Sequence, residues 1–412
     1  MALGYFFSTF PALSTTFLQR EVRALENQGV RLSLFANRSP LQNGYHPHDQ
    51  DLKERTVYLN PIDLRRYGRA NIDCLTASPK RYFRALKTAL RLKDDFARQR
   101  LRNTARLAGA AVLGDLLAER RIRHLHVHFA FGAAGVSILL KELTGIPYSL
   151  SIHGSDVLLP QPLQAEKLKR AAFIVSNCLF HVDNLKKRFP ALQNQKFHVV
   201  RLGLDLTSPF WSNYTAVTPE RPLKILNIGR LLPVKAQEIL IHACACLKRR
   251  NLNFICQIAG GGPRRSALEA LIRELGLSDS VRLLGPQYEA EIVKLLEWSH
   301  VMVLSSKSEG TPMTVIEAMA KARPAIAPDI TALPEMIEDG RTGFLFQPES
   351  AESLADKLSI FCRNPDMVRD FGQAARRRAE SLYDIEKNSA ELKNIFLSEN
   401  AIDPACRKGA CP

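Results

Sequence analysis

Strand-like and helix-like stretches alternate along almost the whole of this chain, and that alternation restricts its fold more than any other feature. "LGYFF", "RLSLFA", "HLHVHFA" and "PYSLSIHG" read as strands in the first half, and "LKILNIG", "FICQIAG", "VRLLG" and "HVMVLSS" in the second. Helical patterns lie between them. In "TTFLQREVRALENQG", Thr16 is the expected N-cap, Gln19 its capping-box partner and Gly29 the C-cap. Alternating β and α elements imply parallel sheets covered by helices on both faces, so the expected fold class is α/β with two doubly wound, Rossmann-like domains. The 412 residues suffice for two domains, and an apolar fraction of 46% supplies two cores.

The stretch "LDLTSPFWSNYTAVTPERP" (204–222) has three prolines and little periodicity. The expected division is therefore a first domain over 1–204, a linker over 205–222 and a second domain over 223–380. The closing pattern "DMVRDFGQAARRRAESLYDIEKNSAELKNIF" reads as helices broken near Tyr383–Asp384. A C-terminal helix over 381–398 and a flexible tail over 399–412 complete the expectation.

Composition narrows the function classes. No apolar run approaches the ~18 residues needed to span a bilayer. The start, "MALGYFFSTFPALSTTF", lacks a basic leading segment and is interrupted by Pro11, so it reads as a strand and turn and not as a signal peptide. The eight cysteines are scattered, mostly in apolar stretches where a thiol acts as a small hydrophobe, which suits a reducing cytoplasm. Cys406 and Cys411 sit in a polar tail with no His or second CxxC beside them, so no metal site is expected there. Of the net charge of +16, residues 1–215 carry +15 and residues 216–412 carry +1. An anionic partner is expected for the first half: membrane lipid, a phosphorylated acceptor or nucleic acid. Residues 80–108 hold ten Lys/Arg against two Asp, with Tyr82, Phe83, Leu86, Leu90 and Phe96 as a partial apolar stripe. They read as one long basic helix, either solvated or lying on an anionic membrane. No aromatic-interleaved basic platform or known module supports nucleic acid.

Several short motifs carry chemistry. In "LNIGRLLPVK" (226–235) a strand ends at Gly229, and Arg230 and Lys235 follow where doubly wound sheets bind ligands. Two cations at that spacing can clamp a diphosphate, although surface cations after a strand are common. In "IAGGGPRR" (258–265), Gly261 and Gly262 belong to a glycine run that lets backbone approach a ligand closely, or simply makes a tight strand-to-helix turn. "SEGTPMTVIEAMA" follows another strand: Thr311 is an expected cap, Pro312 suits the first helical position, and the amides of Met313, Thr314 and Val315 would be unpaired donors, an anion site. Glu309 and Glu317 would straddle that helix start, one for each end of a glycosyl–diphosphate–ribose ligand. The spacing alone fits an exposed helical Glu and a loop Glu better. In "SIHGSDV", His153 stands at a strand end as a polar contact to a sugar or phosphate. His124, His126 and His128 share one face of a strand, but lie roughly 6–7 Å apart in succession, too far for one ion to take all three easily.

The combination of "GRLLPVK", "GGGP", "SEGTPMTVIEAMA" and "IEDGRTGFLF", in that order, resembles the retaining, nucleotide-sugar-dependent glycosyltransferases of the GT-B type, family 4. In the first half, "FPALSTTFLQREVRALENQGV", "HVHFA" and "TGIPYSLSIHGSDV" resemble the subgroup that builds bacterial exopolysaccharides of the colanic-acid and amylovoran kind. The resemblance implies that two domains face each other across a cleft, acceptor on the first and donor on the second, and that the C-terminal helix packs back on the first. It implies that Arg230 and Lys235 hold the donor diphosphate, Glu309 contacts the donor sugar, Glu317 binds the ribose hydroxyls, Met313 and Thr314 face phosphate and sugar, and His153 faces the reacting sugar. It further implies net retention by front-face displacement through an oxocarbenium-like ion pair, without a bound metal. Two departures stand out. The family usually has Gly after the lysine, where this chain has Ala236. The subgroup's Ser-Glu-Thr loop is here Ser14-Thr15-Thr16, which lacks the acid near the acceptor.

The expected protein is thus a retaining hexosyltransferase of exopolysaccharide biosynthesis. It would take a UDP- or GDP-sugar as donor co-substrate and a lipid-linked or oligosaccharide acceptor, with no cofactor, no metal and no nucleic acid. It would be cytoplasmic and peripherally bound to the anionic inner face of the membrane. The alternatives are a glycosyltransferase acting on a phospholipid head group and, further off, a non-catalytic or nucleic-acid-binding protein.

Overall fold

The computed structural model describes residues 2–41, 44–92, 99–161, 163–218 and 222–402. The chain divides into two compact units, Met1–Arg201 with Glu386–Pro412, and Leu202–Ile385.

The first unit is built on a seven-stranded sheet. Its strands are β1 (Leu3–Thr9), β2 (Leu32–Arg38), β3 (Val57–Tyr58), β4 (Leu125–His128), β5 (Tyr148–Ile152), β6 (Ile174–Ser176) and β7 (Phe197–Val199), in the order β3-β2-β1-β4-β5-β6-β7. Every pairing is parallel. Successive residues of β1 feed opposite layers: Phe6 packs with the helices Gln99–Glu119 and Gly132–Thr144, whereas Leu3, Tyr5 and Phe7 pack with Leu18 and Val22 of helix Thr16–Asn27 and with Leu392 and Phe396 of helix Ile385–Ser398. The second unit has a six-stranded parallel sheet of β8 (Leu223–Ile228), β9 (Phe254–Ala259), β10 (Val281–Gly285), β11 (Val301–Val303), β12 (Ala325–Pro328) and β13 (Gly343–Phe346), ordered β10-β9-β8-β11-β12-β13. Both sheets are doubly wound, as the alternation requires.

Local details differ from the expectations. The first helix begins at Thr16 after a 3-10 turn, Leu13–Thr15, with no side-chain cap; the Gln19 amide instead donates to the Ala12 carbonyl at 2.9 Å. The basic stretch at 80–108 is not one helix. Helix Pro79–Arg91 stops because Leu92 is extended, with ψ of 106°, and helix Gln99–Glu119 turns Leu107, Ala110, Leu113 and Leu117 into the core. Phe96 lies outside the described residues, as do Cys406 and Cys411. Among the described residues, no helix is long and apolar enough to cross a membrane. The proline-rich stretch after residue 204 is strapped to the second unit. Trp211 is buried, its carbonyl accepts from Arg376 Nη1 at 2.7 Å, the Asn213 carbonyl from Lys321 Nζ at 2.7 Å and the Thr215 carbonyl from Arg323 Nη1 at 2.8 Å.

The glycine run after β9 has a structural task. The Gly229 N–H donates to the Ala259 carbonyl at 2.9 Å, Leu231 N–H to Gly261 at 2.9 Å, Arg264 N–H to Leu231 at 3.2 Å and Gly260 N–H to Gly285 at 2.8 Å. The ends of β8, β9 and β10 are thereby laced backbone to backbone. A Cβ at Gly260 would lie 1.9 Å from the Gly229 oxygen, and one at Gly262 would lie 2.5 Å from the Leu231 oxygen; φ is +148° and +154°. The close approach that these glycines permit is to the segment carrying Arg230. Gly260→Ala should therefore destabilise the second unit by roughly 3 kcal/mol or more. Gly340→Ala, where φ is +75° but open space surrounds the new Cβ, should cost only about 1 kcal/mol. Urea unfolding of both variants checks this, and equal losses would contradict the lacing.

Candidate active site

The order of the second sheet reverses at β8, which has β9 on one side and β11 on the other. Connections leaving β8 and β11 run to opposite sides, so a crevice opens at their carboxyl ends, the usual ligand position in an open doubly wound sheet. Lys235 follows β8 in a 3-10 turn, Pro233–Lys235, and Glu309 follows β11. Their side chains meet: Lys235 Nζ lies 2.6 Å from Glu309 Oε1. Ser306 Oγ also donates to Glu309 Oε1, at 2.5 Å. The two loops are tied by backbone as well, with Lys307 N–H donating to the Val234 carbonyl at 2.8 Å and Ser305 Oγ to the Lys235 carbonyl at 3.1 Å. The Glu309 side chain is 7% exposed and that of Lys235 is 23% exposed, so the charge pair is held largely out of water. Ser306 was not among the expected residues; its one sequence signal is a hydroxyl three positions before the acid.

Arg230 is exposed on the laced β8 loop, and its guanidinium has no ion-pair or side-chain hydrogen-bond partner among the described residues. Ala236 adopts the left-handed region, φ 46° and ψ 45°, while fully buried. Glycine takes that conformation freely; a β-carbon there costs about 1–2 kcal/mol, yet the turn carrying Lys235 is kept. Gly261 and Gly262 lie on the neighbouring loop, at the same sheet edge.

The helix after Glu309 spans Met313–Ala320, with Pro312 at the cap position and not at the first helical position. Thr311 makes no capping bond; its Oγ1 is buried and without a hydrogen-bond partner. Val315 N–H donates to the Pro312 carbonyl at 3.1 Å, so the expected triad of unpaired amides loses one member. The amides of Met313 and Thr314 have no hydrogen-bond partner among the described residues. Two amides and a hydroxyl at a helix N-terminus fit a ligand oxygen carrying negative charge. Glu317 lies one turn further along the same helix, partly exposed.

His153 belongs to the first unit. It follows β5 at the cap of a short helix, Gly154–Leu158, where its backbone N–H donates to Asp156 Oδ2 at 2.9 Å. Its ring packs on Phe17 and Phe129 and lies 5.9 Å from the His128 ring, near parallel. Burial, then His128 and His181, hold its pKa well below the usual value, so the imidazole is neutral. The strand histidines are also buried. Parallel register sets His126 opposite Ser149 and His128 opposite Ser151. Ser149 Oγ contacts both His124 Nε2 at 2.8 Å and His126 Nδ1 at 2.7 Å, and Ser151 Oγ contacts His126 Nε2 at 2.8 Å. Burial lowers the pKa of His124 to about 4. Their spacing thus serves hydroxyl partners on the adjacent strand. Asn177, which contacts His153 Nδ1 through Nδ2 at 3.1 Å, was not among the expected residues.

Comparison with known proteins shows what this chain is similar to. The family described as glycosyl transferases group 1 matches residues 215–378. Over 414 residues the chain is 25% identical to WcaL of Escherichia coli K12, a glycosyltransferase named for colanic acid biosynthesis, covering 96% of this chain and 99% of that one. It is 27% identical over 282 residues to the amylovoran biosynthesis glycosyltransferase AmsK of Erwinia amylovora, covering 67% of this chain and 69% of the relative. Among solved structures, Alr3699/HepE of Anabaena in complex with UDP matches with a TM-score of 0.69 at 15% identity, over 97% of this chain and 100% of that one. The switch-point crevice, with its Lys235–Glu309 pair, therefore lies within the segment, residues 215–378, that matches the group 1 glycosyl transferases, in an α/β chain of GT-B fold.

Proposed function

We propose that this glycosyltransferase moves a hexose from a nucleoside diphosphate sugar to a lipid-linked or oligosaccharide acceptor in exopolysaccharide assembly, with retention and without a metal. The observation that carries the donor assignment is the convergence of Arg230, the Lys235–Glu309 pair and the open amides of Met313 and Thr314 on one sheet edge. A diphosphate needs fixed positive charge and donors, and both are present before any ligand arrives, so little reorganisation is needed as charge develops on the leaving group. In this reading Arg230 and Lys235 meet the diphosphate and Glu309 orients the donor sugar while holding the lysine. Glu317 accepts from the ribose diol, and His153 meets the reacting sugar. UDP bound to a protein of the same fold supports a UDP-sugar, and the curated relatives support the exopolysaccharide setting.

The acceptor side draws on the helix Pro79–Arg91. Phe83 is 60% and Leu90 45% exposed, and with Leu86, Lys87 and Arg91 they line a shallow hollow. Arg84 is engaged, with Nε 3.0 Å from Glu142 Oε2, and Arg81 Nη1 donates to the Thr144 carbonyl at 3.2 Å. Lys80, Lys87 and Arg91 are left to meet anionic lipid on the inner face of the membrane, where the apolar pair would insert and a lipid-linked acceptor would wait. The same surface leaves a phospholipid head group as the alternative acceptor.

Melting measured against UDP-, GDP- and ADP-sugars should rise with one nucleotide class, because a ligand that binds only the native state stabilises it. With that donor, the product should keep the donor's anomeric configuration and turnover should survive EDTA. Inversion, or activity lost to chelator and restored by Mg²⁺ or Mn²⁺, would overturn the mechanism.

Vesicles of phosphatidylcholine mixed with anionic phosphatidylglycerol should sediment the protein at low salt. Pure phosphatidylcholine should not, and Lys87→Glu with Arg91→Glu should abolish the effect at unchanged donor affinity. Equal recovery with both vesicles would return this charge to a solvated surface.

A further inference from the structure

His153 and Asn177 are placed side by side by strand register. β5 and β6 run parallel with Leu150 opposite Ile174, Ser151 opposite Val175 and Ile152 opposite Ser176. The next pair is His153 with Asn177, the first residue beyond each strand. Both are buried, at 5% and 6% exposure, and Asn177 Nδ2 lies 3.1 Å from His153 Nδ1. An amide nitrogen only donates, so Nδ1 must present its lone pair and the ring proton must sit on Nε2. His153 Nε2 is buried and without a hydrogen-bond partner. A buried N–H left unpaired is costly, and its free energy is recovered when a ligand oxygen accepts from it.

We infer that Asn177 is a positioning residue that fixes His153 as a neutral imidazole with its proton on Nε2, so that His153 acts on the sugar oxygen as a hydrogen-bond donor and not as a base. The inference rests on the proposed placement of His153 at the reacting sugar. The other titratable groups packed around the ring agree with a neutral donor. His128, from β4, and His181, from helix Leu179–Arg188, are held neutral, chiefly by burial. Asp156, from the short helix, spends its oxygens on the backbone N–H groups of His153 and Ala130. Glu21, from the first helix, faces Tyr5 and His128, with its pKa pushed up to about 7 by burial. No carboxylate contacts a ring nitrogen of His153 among the described residues.

The test has a spectroscopic arm and a kinetic arm. In full-length protein labelled with ¹⁵N-histidine, His153, assigned by its loss in His153→Gln, should show a bare Nδ1 and a protonated Nε2. It should not titrate between about pH 5.5 and 7.5, a window spanning about one unit either side of the ordinary histidine pKa. Asn177→Asp, whose carboxylate accepts from the ring, should move the proton to Nδ1 and bring the titration into that window. Asn177→Ala should lower kcat about tenfold, the worth of one hydrogen bond, with the donor KM little changed. Asn177→Ser, which can still donate, should restore most of the loss. A wild-type ring protonated on Nδ1, or an imidazolium at pH 7, overturns the inference itself. The expected tautomer with unchanged kcat in folded Asn177→Ala overturns instead the placement of His153 at the reacting sugar.

Discussion

In a parallel sheet, residues that leave adjacent strands emerge at the same edge, and that constraint sets Lys235 against Glu309 and Asn177 against His153. Val301 pairs with Ile225 and Met302 with Leu226, so the loops after β11 and β8 start side by side although 74 residues separate the lysine from the acid. The Lys235–Glu309 contact is short and largely shielded from water, where a charge pair is strong if its remaining hydrogen-bonding capacity is met. Ser306 helps meet it. The pair in turn depends on the lacing of β8, β9 and β10, because without Gly260 and Gly262 the β8 loop could not approach its neighbour. A glycine run that invites a ligand-binding reading thus acts first through the protein's own backbone.

The first unit uses the same topology for a different chemical end. Its strand ends carry neutral, buried imidazoles, and their low pKa values follow from the cost of burying charge. The acids among them respond in the opposite direction: burial raises both Glu21 and Asp156 to about 7. One site therefore presents fixed charge, suited to a diphosphate. The other presents neutral imidazoles, which can hydrogen-bond sugar hydroxyls.

Much of the architecture was legible in the residues. All eight stretches read as strands lie on β1, β2, β4, β5, β8, β9, β10 and β11. The other five strands, of two to four residues each, were not read from the sequence. The basic stretch at 80–108 read as one helix because periodicity persists across it, whereas the break comes from the backbone of Leu92. The capping expectation at Thr16 failed because a 3-10 turn leads into that helix and Thr15 takes the cap position, and the one at Thr311 failed because extended Pro312 takes it. Glu309 was visible as an acid beside a helix start, but its bond to Lys235 was not. Nor was the bond of Asn177 to His153, since each depends on strand register across dozens of residues.

The claim that the β8–β11 edge holds a donor diphosphate can be decided by calorimetry of UDP and uridine with wild type and Arg230→Ala. Arg230 is the appropriate probe because removing Lys235 would also strand a mostly buried carboxylate. Loss of roughly 1.5–3 kcal/mol in UDP affinity is predicted, the scale of a hydrogen bond to a charged group, with uridine binding nearly unchanged. Equal losses for both ligands, or none for UDP, would contradict the claim.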